Sequence, residues 1–153
     1  MDSAAFTELY TEIHIDLYKF ALYTLKQPQD AEDAVGEAVV SAFTNIHKLR
    51  KEESFKAWMF AILKNQCMKR FREQKEVVPL DQELPSQERD YAEDQDVRKA
   101  FSALDEEERM IVSFSVFAGF QSDEIGSMMQ MNPATVRSKK KRAFEKMRQR
   151  LVE

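Results

Sequence analysis

The sequence predicts an all-α chain, two small helical domains joined by an acidic flexible linker, and three observations predict it. Its 153 residues hold only three glycines and four prolines, little punctuation for anything but helices. Apolar residues recur at helical spacing on both sides of one aperiodic segment. Charge is segregated as well. Residues 1–75 set 11 basic against 11 acidic side chains, residues 76–97 set eight acids against Arg89, and residues 98–153 carry a net +3 gathered at the end. The overall net charge of −4 is therefore a poor guide to partners, because local fields decide what a surface attracts.

The first domain is expected over residues 1–76. Ser3 is positioned to cap a helix running to about Leu25, whose stripe is Phe6, Leu9, Tyr10, Ile13, Leu17, Phe20 and Ala21. Pro28 breaks it. A second helix starts near Asp30 with the cleanest period in the chain: Ala31, Ala34, Val35, Ala38, Val39, Ala42, Phe43 and Ile46. Its other face offers Glu32, Asp33, Gly36, Glu37 and Ser41. Gly36 sits mid-helix, where it costs about 1 kcal/mol relative to Ala; it marks either a close approach by another surface or a neutral accident. His47 to Glu53 reads as a polar, basic loop. Ser54 then caps a third helix, with Phe55, Trp58, Met59, Ile62, Leu63 and Phe71 toward a core and Lys56, Lys64, Asn65, Lys69, Arg70 and Arg72 outside. That basic outer side suits a nucleic-acid surface and a solvated face equally well.

Residues 77–90 contain Pro79 and Pro85, have no sustained period and read as the linker. The second domain is expected over 91–153. Val97, Phe101 and Leu104 form a lead-in helix. Asp105 and Glu108 have capping-box spacing ahead of a helix striped by Met110, Ile111, Phe114 and Phe117, and Gly119 stands where a left-handed residue ends it. Ser122 is placed to cap a short helix through Met129. Asn132 and Pro133 then open a long amphipathic helix with Val136, Ala143, Met147 and Leu151 on one face and Phe144 beside them. Between Arg137 and Arg150 eight cations face Glu145 alone, a net +7 on roughly 20 Å of helix. Helix, turn, short helix, turn and long basic helix describe a helix-turn-helix with an exposed recognition helix, and the charge on that helix favours DNA.

Several classes are excluded. No apolar run approaches the roughly 20 residues of a membrane span, and the N-terminus has no signal-peptide pattern, so no membrane insertion is expected. The one cysteine, Cys67, allows no internal disulfide, which suits a cytoplasmic protein, and its helical position suits a buried structural thiol. His14 and His47 lie far apart without acids or cysteines at ligand spacing. No catalytic, metal or cofactor site is expected, and the chain is read as a binding protein rather than an enzyme.

Both halves resemble one family, in order and at the right spacing. Asp30-Ala31-Glu32-Asp33-Ala34-Val35-Gly36-Glu37 resembles the "DAEDxVQE" segment of extracytoplasmic-function (ECF) bacterial RNA polymerase sigma factors. Ser54-Phe55-Lys56-Ala57-Trp58-Met59-Phe60-Ala61-Ile62-Leu63-Lys64-Asn65 is similar to the family's "SFRAWLxxIARN" helix. Gly119-Phe120-Gln121-Ser122-Asp123-Glu124-Ile125, with Thr135-Val136-Arg137-Ser138 and Arg142-Ala143, tracks its "GxSYxEIA…TVKSRLxRAR" region. Departures are Gly36 for the usual Gln, Phe43 for Trp, Lys140 for Leu, and Gln130-Met131-Asn132 in the turn that is typically "LGIS".

The resemblance implies a sigma region 2 helical bundle followed by a sigma region 4 helix-turn-helix. It implies core RNA polymerase (its β′ clamp and β subunit) and promoter DNA as partners, and an anti-sigma factor that no residue here reveals. Asp30, Glu32, Asp33, Gly36 and Glu37 would meet the polymerase. Asn45, Lys48, Lys56, Lys64 and Asn65 would serve the −10 element, and Thr135, Arg137, Ser138, Lys139, Lys141 and Arg142 the −35 element. The alternatives are a helix-turn-helix regulator binding operator DNA as a dimer, and an adaptor that tethers another protein to polymerase.

Overall fold

The computed structural model describes residues 1–74 and 95–152. The expected linker, 77–90, lies outside the described residues. These fold into seven α-helices: α1 (Ser3–Leu25), α2 (Pro28–Thr44), α3 (Phe55–Gln74), α4 (Gln95–Phe101), α5 (Glu106–Val116), α6 (Ser122–Met129) and α7 (Pro133–Val152). Two single 3-10 turns, Ile46–Lys48 and Glu52–Ser54, occupy the connection between α2 and α3 that was expected to be plain loop. No strand occurs among the described residues.

Local chemistry sets the ends. The cap of α1 is Asp2 rather than Ser3, its carboxylate accepting from the Ala5 N–H at 2.8 Å. Lys26 closes that helix in the left-handed region (φ 74°), returning its N–H to the Leu22 carbonyl, and Pro28 then supplies the first turn of α2 rather than merely stopping α1. The capping box of α5 forms as the spacing predicts: Glu108 N–H donates to the Asp105 carboxylate at 2.8 Å and Asp105 N–H to Glu108 at 3.0 Å. The cap of α6 is Gln121, not Ser122; its N–H donates to Glu124 at 2.8 Å, and Ser122 becomes the first helical residue. Gly119 takes the expected left-handed backbone (φ 74°).

Helices α1, α2 and α3 pack mutually as one bundle, and α4, α5 and α6 gather around α7. The two bundles do not keep separate cores. Leu22, Tyr23, Thr24 and Leu25 are all buried, so the last turn of α1 is covered on every side. The second cover comes from α5, which lies against α1. Phe20 meets Phe114 at 4.5 Å between ring centroids, Phe60 meets Phe120 edge-on at 5.5 Å, and Tyr23 stacks on Phe117 at 4.8 Å. Such aromatic pairs add about 0.5–1.5 kcal/mol each beyond the area they bury. Arg109 runs through the same seam, 6% exposed, donating to the Thr24 carbonyl at 3.0 Å and the Leu104 carbonyl at 2.7 Å. Burial lowers its pKa, opposed by Glu106 and Asp105. Cys67 is fully buried and free, with its thiol pushed up to about 12 by burial.

Two glycines carry opposite expectations. A Cβ on Gly126 would stand 2.5 Å from the Met131 carbonyl oxygen, where the turn into α7 crosses α6. A Cβ on Gly36 would meet nothing within 4 Å. Gly126→Ala is expected to destabilise by about 1–3 kcal/mol through backbone displacement, whereas Gly36→Ala should stabilise by about 0.5–1 kcal/mol through helix propensity. Urea unfolding of the two variants beside the parent checks both signs.

Candidate nucleic-acid and polymerase interfaces

The recognition helix is seated by its start, its turn and its underside. The Asn132 side chain accepts from the Ala134 N–H at 2.8 Å, with Pro133 as the first helical residue. Gln130 ends α6 in the left-handed region (φ 54°), in the turn where this chain has Gln130-Met131-Asn132. Val136, Ala143 and Met147 are buried against the rest of the domain, while Leu151 is 54% exposed and so outlasts the core.

Opposite that underside, Thr135, Arg137, Ser138, Lys141 and Arg142 are exposed together on one arc. Lys139 is not part of it. It lies on the flank facing α5 and forms an ion pair with Glu107. Lys146 does the same one turn further on, pairing at 2.8 Å with Glu108, the capping-box acid. Arg137, Lys140, Lys141, Phe144, Glu145 and Arg148 line an open groove of about 480 Å³ along the outer face. Phe144 (40% exposed) and Glu145 thus join the surface that the cations define. The i, i+4, i+7 spacing of Arg137, Lys141 and Phe144 places them on one helical face.

The five −10 candidates divide. Lys48, in the first 3-10 turn, and Asn65, on α3, are exposed. Asn45 closes α2, its side-chain amide donating to the Ser41 carbonyl at 2.8 Å. Lys56 places its ammonium 5.2 Å from the Phe120 ring centroid, and Lys64 donates to the Met128 carbonyl of α6 at 2.9 Å. The structure therefore brings two of the five onto the second domain.

On α2, Glu32, Asp33, Gly36 and Glu37 are exposed and Asp30 is half-buried. Asp33 accepts from Gln29 at 3.0 Å, Glu37 pairs with Arg70 at 3.4 Å, and Asp30 accepts from Gln74 at 3.1 Å. Burial raises the Asp30 pKa; Asp33 adds to the rise, while Arg70 and the Gln74 hydrogen bond oppose it. Beyond these acids Val40 (67% exposed) and Phe43 (49%) extend the face with apolar surface. Phe43 was expected in the core stripe; it reaches it only by an edge-on contact with Phe6 at 5.5 Å.

Residues 9–77 match the family model for sigma-70 region 2, and residues 94–147 that for sigma-70 region 4. The chain belongs to the sigma-70 family of RNA polymerase sigma factors. It is 28% identical over 141 residues to RNA polymerase sigma factor SigV of Bacillus subtilis (90% of this chain, 85% of that one). It is 27% identical over 146 residues to ECF RNA polymerase sigma factor SigM of Mycobacterium tuberculosis (93% and 74%). Solved structures share the fold, RpoE and CnrH among them. Sigma factor RpoE in complex with the anti-sigma factor NepR from Bartonella quintana has a TM-score of 0.80 at 21% identity, covering 95% of this chain and 96% of that one. CnrH in complex with the cytosolic domain of CnrY has a TM-score of 0.72 at 20% identity, covering 95% and 86%.

Within the family the chain is of the ECF type, a sigma factor that binds core RNA polymerase and directs transcription initiation at particular promoters. A dimeric operator-binding regulator is not favoured, since the first half of the chain is itself a sigma domain.

The environment of Asp30 makes a stability prediction. Its folded-state pKa lies above the ordinary 3.8, so folding loses stability as pH rises from that value through the raised one. Asp30→Asn removes the ionisation and retains an acceptor for Gln74. The variant should melt at or above the parent temperature at neutral pH and lack this part of the pH dependence, as thermal melts across the carboxylate range would show.

Proposed function

We propose that the two sigma domains divide the work by surface chemistry, and that the exposed cationic arc of α7 carries the reading. Thr135, Arg137, Ser138, Lys141 and Arg142 face solvent on the side opposite the buried residues, where a major groove would receive them. Arginine and lysine there neutralise phosphates and reach the acceptor edge of guanine, and the start of α7 adds backbone N–H groups toward a phosphate. Lys139, paired with Glu107, supports α7 rather than touching DNA.

On the first domain Lys48, Lys56, Lys64, Asn65 and Asn45 hold the unpaired −10 strand. A base taken out of the duplex must regain its stacking energy, a few kcal/mol, from apolar surface and cations. Asp30, Glu32, Asp33, Gly36 and Glu37, with the exposed Val40 and Phe43, dock on a basic patch of the β′ clamp, while the second domain engages the β subunit. The domain limits that go with this division are 1–76 and 91–153.

The chain itself performs no catalysis, the chemistry belonging to the polymerase it directs, and it acts in the cytoplasm. No helix among the described residues is long and apolar enough to cross a membrane. An anti-sigma partner is part of the reading. Among the structures that share the fold, RpoE is a sigma factor in complex with the anti-sigma factor NepR, and CnrH is in complex with the cytosolic domain of CnrY.

Run-off transcription with core polymerase is the direct test: the chain should confer promoter-dependent initiation that core enzyme lacks. Arg142→Ala should weaken binding of the −35 duplex uniformly or at one base, with the salt slope reduced by about one if the contact is to phosphate. Unchanged affinity and slope would remove Arg142 from the interface.

A further inference from the structure

A slot of about 230 Å³ opens where α3 passes α5 and the end of α6. Its apolar lining is Phe71 and Met110, both buried, with Met129 half-buried and Met68 exposed. Three of these four side chains are thioethers. Methionine is unbranched and polarisable and adapts to irregular apolar shapes, which suits a chain-like guest. On α3 the lining positions 64, 68, 71 and 72 follow i, i+4, i+7 and i+8, so the slot runs along that helix for about 12 Å.

Charged side chains complete the lining, two of each sign: Lys64 and Arg72 from α3, Glu106 and Glu107 from α5. They are not equally committed. Glu107 forms an ion pair with Lys139, and Glu106 lies within the fields of Lys26 and Arg109. The cations have no such answer. Lys64 donates to the Met128 carbonyl at 2.9 Å, a neutral acceptor that leaves its charge uncompensated. Arg72 is exposed and has no acid partner among the described residues. The unanswered charge on the lining is therefore positive, and it lies on the α3 side. An apolar chain ending in one anionic group matches both the floor and the rim.

We propose that this slot binds a medium-chain alkyl carboxylate, its chain against the thioethers and Phe71 and its carboxylate on Arg72 and the remaining N–H groups of Lys64. The planar guanidinium offers a carboxylate two parallel charge-assisted hydrogen bonds, which favours that head group over other anions. Removal of the chain from water supplies the driving force, each buried methylene tightening binding by up to about fourfold. Such a guest touches α3, α5 and α6 at once, so it stabilises the folded chain by mass action. Lys64 is shared with the surface assigned to the −10 strand. Arg72 and Met68 belong to neither proposed nucleic-acid surface and are exposed, so they are the positions to vary.

The test titrates decanoate, below its micelle threshold, into the full-length chain carrying carbon-13 methyl methionine. The methyl resonances of Met68, Met110 and Met129 should shift along one saturable curve, while those of Met1 and Met59 stay. Octanoate, two methylenes shorter, should bind up to about fifteenfold more weakly. Arg72→Glu should weaken decanoate about five- to tenfold and leave decanol, the same chain without the charge, unaffected. Met68→Asp sets a carboxylate in the slot and should weaken decanoate as well, with circular dichroism to establish that the helices of both variants persist. Absence of methyl shifts, shifts that do not saturate, or shifts that reach Met59 overturn the proposal. So does a folded Arg72→Glu chain that binds decanoate as the parent does, or that loses decanol and decanoate equally.

Discussion

The seam between the two bundles is the constraint on which the rest of the structure depends. Three helices on one side and four on the other are each small units, with little interior relative to surface. Phe20, Tyr23 and Phe60 from the first bundle and Phe114, Phe117 and Phe120 from the second complete one continuous core. Arg109 is tolerated inside it because two carbonyls accept from it and the Phe71 ring lies 6.0 Å from the guanidinium carbon. A buried cation without those partners would be strongly unfavourable.

The shared core explains which parts of the fold were legible in the sequence. A one-sided stripe is visible as a period, so the helices themselves, the helix-turn-helix and the capping box at Asp105 could be read directly. A helix covered on two sides has no such period. Tyr23 on α1 and Phe60 on α3 look unremarkable in the chain because the rings that cover their second side, Phe117 and Phe120, are distant in sequence. The helix starts moved by one residue, to Asp2, whose carboxylate accepts from Ala5 N–H, and to Gln121, whose N–H is taken by Glu124. The expectation of two small helical domains holds, and their shared core was no part of it.

The candidate surfaces show the same division between local and distant information. The exposed arc from Thr135 to Arg142 follows from helical geometry alone. That Lys139 and Lys146 serve the protein's own acids does not, because Glu107 and Glu108 are distant in sequence. Likewise a pattern of acids on α2 was visible, but not that Val40 and Phe43 continue it outward as apolar surface. A run of like charges thus overstates the area offered to a partner by the members that stabilise their own domain. The acidic face of α2 understates it, since its apolar extension is silent in any count of charge.

The burial of Cys67 has a practical corollary. A thiol that is inaccessible and ionises only near 12 reacts with neither mild oxidants nor alkylating reagents at neutral pH. Cys67 is thus a poor redox sensor in the folded chain. The protein is also a ready-made background for chemical labelling: any cysteine introduced on its surface becomes the single reactive handle, and dyes can be attached in pairs without first removing the native sulfur.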